Sequence, residues 1–267
     1  MDNTSYIFIS NVQLGLAALL LIVNIALSVA LRLGLGRDLI VSAIRMTVQL
    51  VLVGFILEWI FQTREPLLII LMALIMAGLA GIAAVHRTSR RFPGIYWNSL
   101  VTIGTSGFLV TGAAITGILN VTPWYDPQYM IPLLGMVLGN ALTGISLGLD
   151  RMMEECLKNR NWIETMLSHG ASRWEAAHEQ IREALRTGMI PTVNAMMIMG
   201  IVSLPGMMTG QILAGADPMD AVRYQIVIMF MVAACTALAT LGVVLLAYRV
   251  LFSADHRLMD NRISEKK

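Results

Sequence analysis

Arg45 and Gln49 stand four residues apart inside an apolar run, so on a helix both project from one face. A charge at membrane depth must be paired or hydrated, which turns that face toward a bundle interior or a water-filled cavity; a structural pairing is the competing reading. A second apolar run is interrupted by LPGMMTGQILAG, where Pro205 removes a helix hydrogen bond and Gly206 and Gly210 loosen the backbone. Broken helices are tolerated only where protein or water satisfies the freed groups, and such breaks often line transport paths. Met207 and Met208 bring thioethers to this break, soft ligands that suit Cu(I), and Gln211 adds an amide. With 19 methionines in the chain, apolar filling competes with the ligand reading. Asn140 lies beside Gly135-x-x-x-Gly139 and Gly144-x-x-x-Gly148, where the glycines let helices approach and the amide is placed to hydrogen-bond between them.

The missing motifs narrow the function. There is no G-x-x-x-x-G-K-[ST], no H-E-x-x-H, no G-x-S-x-G and no dinucleotide fingerprint, so no catalytic residue and no cofactor is expected on this chain. Nothing on this chain is expected to hydrolyse ATP. His86, His169, His178 and His256 lack ligand spacing and read as surface residues. Cys156 and Cys235 give neither a disulfide framework nor a C-x-x-C pair, and nothing points to nucleic acid.

The elements that would position such residues begin with a charged segment between apolar runs, residues 161–191. Trp162 and Met166 share one helical face, and Trp174, Ala177, Ile181 and Ala184 share another. Asn161 is placed to cap a first short helix, Gly170 to end it in the left-handed conformation, and Ser172 with Glu175 to start a second with a capping box. The segment reads as helix, hinge, helix. It is either an amphipathic hairpin on the membrane surface or a docking element that passes motion from a soluble motor to the spans.

Composition places the rest in a bilayer. Hydrophobic residues make up 57% and charged residues 13%, with mean hydropathy +0.70. An ordinary soluble domain carries about 25% charge. Seven stretches are long enough to cross a core of about 30 Å: roughly residues 12–31, 39–61, 66–85, 100–120, 130–149, 189–212 and 222–251. This predicts an all-α polytopic protein of about seven transmembrane helices, a single transmembrane domain over 1–267, with a cytoplasmic amphipathic hairpin at about 150–188. The N-terminus has no basic n-region, so the first span is expected to be retained. Of 19 Lys and Arg, all but Arg45, Arg64 and Arg223 fall on pieces that a seven-span path puts on one side. The positive-inside rule then sets the N-terminus out and the hairpin and C-terminus in. In the loop HRTSRRFPGIYWNS, Tyr96 and Trp97 read as anchors at headgroup level in the lipid interface.

Three stretches carry a family resemblance: IPLLGMVLGNALTGISLGLD, ETMLSHGAS and, above all, GIVSLPGMMTGQILAGADPMDAVRYQI. They resemble the FetB-type permease family, the membrane subunits of a bacterial ABC exporter implicated in iron efflux, to which plant aluminium-tolerance permeases look related. The resemblance implies a permease homodimer in the bacterial inner membrane, working with a separate cytoplasmic ABC ATPase and exporting iron or another metal ion. The helix–hinge–helix segment is then expected to receive the ATPase at Glu164, His169, Gly170, Ala171, Ser172 and Glu175, and the second, fifth and sixth spans to enclose a path. Glu164 and Gly170 also stand six apart as in the EAA loop of ABC importers, but Thr165 and Met166 replace its alanines and Pro191 lies too far downstream. Efflux or flipping of an unidentified small molecule, and proton-driven secondary transport, remain the alternatives.

Overall fold

The computed structural model describes residues 10–265, which fall into two compact units. The first unit holds α1 (Asn11–Ala30) and α2 (Gly36–Thr63), with residues 210–216. Ser10 and Gln13 form a capping box at the start of α1, the Ser10 N–H donating to Gln13 Oε1 at 2.7 Å. The turn to α2 is held by Ser28, whose hydroxyl oxygen accepts from the Leu35 N–H at 3.0 Å.

The second unit holds α3 (Pro66–His86), α4 (Ile95–Ala113), α5 (Pro127–Lys158), α6 (Arg160–Ser168), α7 (Arg173–Ile198) and α9 (Pro218–Leu251); the short α8 (Gly206–Leu213) starts there. Proline occupies the first turn of α3, α5 and α9, where its missing N–H would be unpaired anyway. Asp126 and Asp217 cap α5 and α9 through their side chains. A π-helical turn at Ala114–Ile118 closes α4.

The core lies where α5, α7 and α9 meet. A Cβ added to Gly144 would lie 2.6 Å from Thr236 Cγ2, and one on Gly188 would lie 2.8 Å from the Gly144 carbonyl oxygen. The second small-residue pair read on α5, Gly144 and Gly148, therefore supports a three-helix contact, as the spacing predicts. Gly139 meets nothing within 4 Å. Asn140 is exposed and donates to the Met136 carbonyl of its own helix at 2.8 Å, so its expected bond between helices is not made.

Among the described residues, six helices are long and apolar enough to cross a membrane, and they match six of the seven apolar stretches. The stretch 189–212 is built differently. Pro191 lies inside α7, which runs without interruption from the Ser172 cap to Ile198. Trp174 near its start packs edge-on against Tyr248, Gly188 at its middle meets Thr240, and Met199 at its end meets Gln225. As the α7 number rises the α9 number falls, so α7 lies antiparallel to α9 along its whole length. At 1.5 Å per residue its 26 residues span about 39 Å. The second arm of the hairpin and the sixth apolar run are therefore one rod, Arg173–Ile198, which starts 16 and ends 14 residues earlier than the stretch 189–212 that hydropathy alone suggested.

Candidate functional site: a hinge and a methionine-lined cavity at opposite ends of one helix

The hinge is built almost wholly from local sequence. α6 ends with His169 as its cap, the Gly170 N–H donating to the Leu167 carbonyl at 3.1 Å and the Ala171 N–H to the Met166 carbonyl at 3.1 Å. This pair of bonds is a Schellman motif, which needs a left-handed residue between cap and continuation. Gly170 supplies it with φ +90°. His169 Nδ1 lies 2.8 Å from the Thr165 carbonyl, so that nitrogen carries the proton. The capping box then starts α7: the Ser172 N–H and hydroxyl both donate to Glu175 Oε2 at 2.8 Å, and the Glu175 N–H returns to Ser172 Oγ at 3.3 Å. The backbone bond, then the hydroxyl bond, hold the Glu175 carboxyl below the usual carboxylate range. Two details differ from the sequence reading. Asn159 rather than Asn161 stands at the N-terminal cap position of α6, with its side chain donating to Glu155 and not to the helix, and Ile163, fully buried, anchors that helix while Trp162 stays exposed.

The C-terminal tail straps this hinge from below, a contact no local pattern announces. Asp260 pairs with Arg160 at 2.6 Å, and Arg160 also reaches Glu164 at 2.8 Å. The Glu164 bond and the Asp260 charge raise the Arg160 pKa above its ordinary value. The Arg173 N–H donates to His256 Nδ1 at 2.8 Å, and the Arg173 guanidinium lies 5.8 Å from the Tyr248 ring centre. Further on, β2 (Ser264–Glu265) pairs antiparallel with β1 (Arg90–Arg91) of the α3–α4 loop. Arg91 of that loop lies over Tyr96 in the first turn of α4, where Trp97 is exposed.

At its other end α7 stops at Met199, and the chain turns through Gly200 at φ +81°. The break thus falls at 199–205. Gly206 and Gly210, expected to loosen the backbone, are ordinary helical residues of α8. Nor are the carbonyls there free, since the Pro205 carbonyl accepts from the Thr209 N–H at 2.9 Å and the Gly210 carbonyl from the Ala214 N–H at 3.0 Å. What the break does create is a cavity of about 400 Å³, lined by Met196, Met199, Met208, Met229, Gln225 and Phe230 among others. Pro205 and Met208 line it; Met207, Gly206 and Gln211 do not. Gln225 is buried, its Nε2 lies 3.8 Å from Met199 Sδ, and its Oε1 has no hydrogen-bond partner. Gln225 was legible as a polar residue at the head of the last apolar run, the signal that singled out Arg45. The exact set of methionines was not, because they come from three elements.

Arg45 and Gln49 share a face of α2 as their spacing predicts, and both are exposed within their unit. Among the described residues neither makes a hydrogen bond or ion pair. Also among the described residues, no three His, Cys, Asp or Glu side chains group as a metal site.

Membrane-length helices packed through small residues, with a polar hinge at one end of a full-length helix and a cavity at the other, define a polytopic membrane permease. The chain belongs to the uncharacterised protein family UPF0014, whose family model matches residues 11–252. It is 34% identical over 258 residues to the probable iron export permease protein FetB of Escherichia coli, covering 97% of this chain and 98% of that one. It is 34% identical to the UPF0014 membrane protein YjkA of Bacillus subtilis, covering 93% of this chain and 98% of its relative. The protein ALUMINUM SENSITIVE 3 of Arabidopsis thaliana is 33% identical over 93% of this chain and 90% of its own. No solved structure matches the chain.

Proposed function

We propose that this protein is the membrane subunit of an ABC-type exporter that moves a metal ion out of the bacterial cytoplasm, driven by a separate ATPase. One observation carries the reading: the hinge at Gly170 and the cavity at Met199 are the two ends of one continuous helix. A soluble motor that tilts or lifts α6 displaces the far end of α7 without an intervening joint. Glu164, His169, Gly170, Ala171, Ser172 and Glu175 form the surface the ATPase grips, and two permease chains meet two ATPases. ATP is bound and hydrolysed on the partner. The metal cargo is supported by the name of the E. coli relative, which makes iron the first ion to test. Arg45 and Gln49, in the first unit, carry polar groups at membrane depth that face water, and Pro205 and Met208 line the cavity of the second.

The test is co-expression of this chain with candidate ABC ATPase subunits, copurification, and ATP hydrolysis in vesicles with and without Fe(II) and other metal ions. A stable complex whose hydrolysis rises with a metal ion is expected. Failure to capture any ATPase, together with ion efflux that follows a proton gradient, would overturn the reading.

A further inference from the structure

The cavity at the far end of α7 is lined by four methionines and by Gln225, a buried amide whose oxygen has no partner. We infer that it binds the cargo as a thiophilic monovalent cation of the Cu(I) and Ag(I) class, on Met196, Met199, Met208 and Met229 with Gln225 Oε1. The inference rests on the permease reading above and adds the chemical class of what is carried.

Thioethers are neutral and polarisable, and they select soft ions of low charge, whereas hard divalent ions need several carboxylate, carbonyl or water oxygens. The only donors named in this lining are four sulfurs and one neutral oxygen. A monovalent ion also leaves less uncompensated charge in a wall that is otherwise apolar. Apolar filling explains methionines that close on one another, but here they line an open space of about 400 Å³. It does not explain Gln225. That side chain is only 8% exposed, and its Nε2 faces Met199 Sδ at 3.8 Å, which leaves Oε1 as a buried acceptor with nothing to accept. Buried polar oxygens are normally satisfied, and a cation would satisfy this one. The volume exceeds that of a bare ion, but methionine has three rotatable bonds and can close on it. The site also sits where the transport cycle needs it, at the end of the helix that the hinge moves.

The experiment uses the full chain in detergent, carrying Cys156→Ser and Cys235→Ser so that thiols do not compete for silver. Ag(I) is the probe because it is redox-inert. Equilibrium dialysis with elemental analysis measures affinity, and X-ray absorption at the silver edge reads the donor atoms. A saturable site with a sulfur-dominated shell is expected. Losing a mere outer-shell partner typically costs a metal site about tenfold or more, so Met196→Leu, Met199→Leu, Met208→Leu and Met229→Leu combined should weaken binding by at least that. Helical content and elution volume establish that the fourfold variant is folded; if it is not, Met199→Leu and Met208→Leu are compared singly. Equal affinity in parent and folded variants, or a shell of oxygen and nitrogen alone, overturns the inference. Because binding needs no ATPase, that result leaves the permease reading standing. Intact silver binding without ATP-driven movement would instead strike the permease reading.

Discussion

Gly148→Ala probes the junction that ties the hinge-bearing helix to the rest of the bundle. A Cβ at position 148 would sit 2.8 Å from Thr240 Cγ2, with the Ala184 carbonyl oxygen at 3.5 Å and Val244 Cγ2 at 3.6 Å. Only the first is a clash, since carbon atoms are at their optimum near 3.5–4.0 Å. Forcing a methyl into a packed core costs about 1–3 kcal/mol. Thr240 is fully buried, and its Oγ1 has no hydrogen-bond partner, so Thr240→Ala removes the clashing methyl without breaking a bond. Alone it leaves a small void, costing about 1 kcal/mol on the scale of a deleted methyl. Combined, the methyl added at 148 moves into the space vacated at 240, and the penalties offset each other with a coupling of about 1–3 kcal/mol. Gly188→Ala is the contrasting case. Its Cβ would lie 2.6 Å from Thr240 Cγ2 but also 2.8 Å from the Gly144 carbonyl oxygen, which is backbone and does not give way, so Thr240→Ala should not rescue it. Unfolding by titrated detergent, or thermal stability in a mild one, measures all five variants. The same penalty for Gly148→Ala in both backgrounds would refute the packing described between α5, α7 and α9.

Gly170→Val places a β-branched residue at φ +90° in otherwise open space, so the cost is backbone strain of about 1–2 kcal/mol and no steric clash; the variant should insert normally and lose cargo-stimulated ATP hydrolysis, and undiminished stimulation would remove the hinge from the mechanism. Arg45→Leu removes an exposed charge from α2 and should leave folding intact while changing export; unaltered transport with raised stability would assign Arg45 a structural role. Orientation is checked with a single cysteine at exposed Trp124, a position chosen because Asp126 caps α5 and should be left in place. The native Cys156 and Cys235 are buried, so the introduced thiol dominates, and it should be blocked by impermeant reagent from outside intact cells; blocking only from the cytoplasm would invert the assigned topology.

The limits of the sequence reading follow from which interactions are local. Helix ends set by a cap, a proline or a left-handed glycine lie within four residues of their cause. The Ser172–Glu175 box, Gly170 and the start of α3 at Pro66 were therefore legible. α7 was not, because its first half carries Arg173, Glu175, Glu179, Arg182, Glu183 and Arg186, which hydropathy reads as surface, and Pro191 then looks like a fresh start. The helix runs through both because its buried face, Ala177, Ile181, Ala184 and Gly188, continues unbroken onto α5 and α9. Its real stop is Gly200, which the more conspicuous Pro205-Gly206 pair hid. The tail strap is further still from any local signal, since Arg173 and His256 are 83 residues apart and Arg160 and Asp260 lie in separate helices. This division bears on mechanism. The hinge is specified by its own few residues and held by the tail, whereas the cavity is assembled from the end of α7, the start of α8 and α9. Under the proposed function, a locally specified hinge and a pocket built from three elements at the two ends of one helix would let a motor outside the membrane change affinity at the far end.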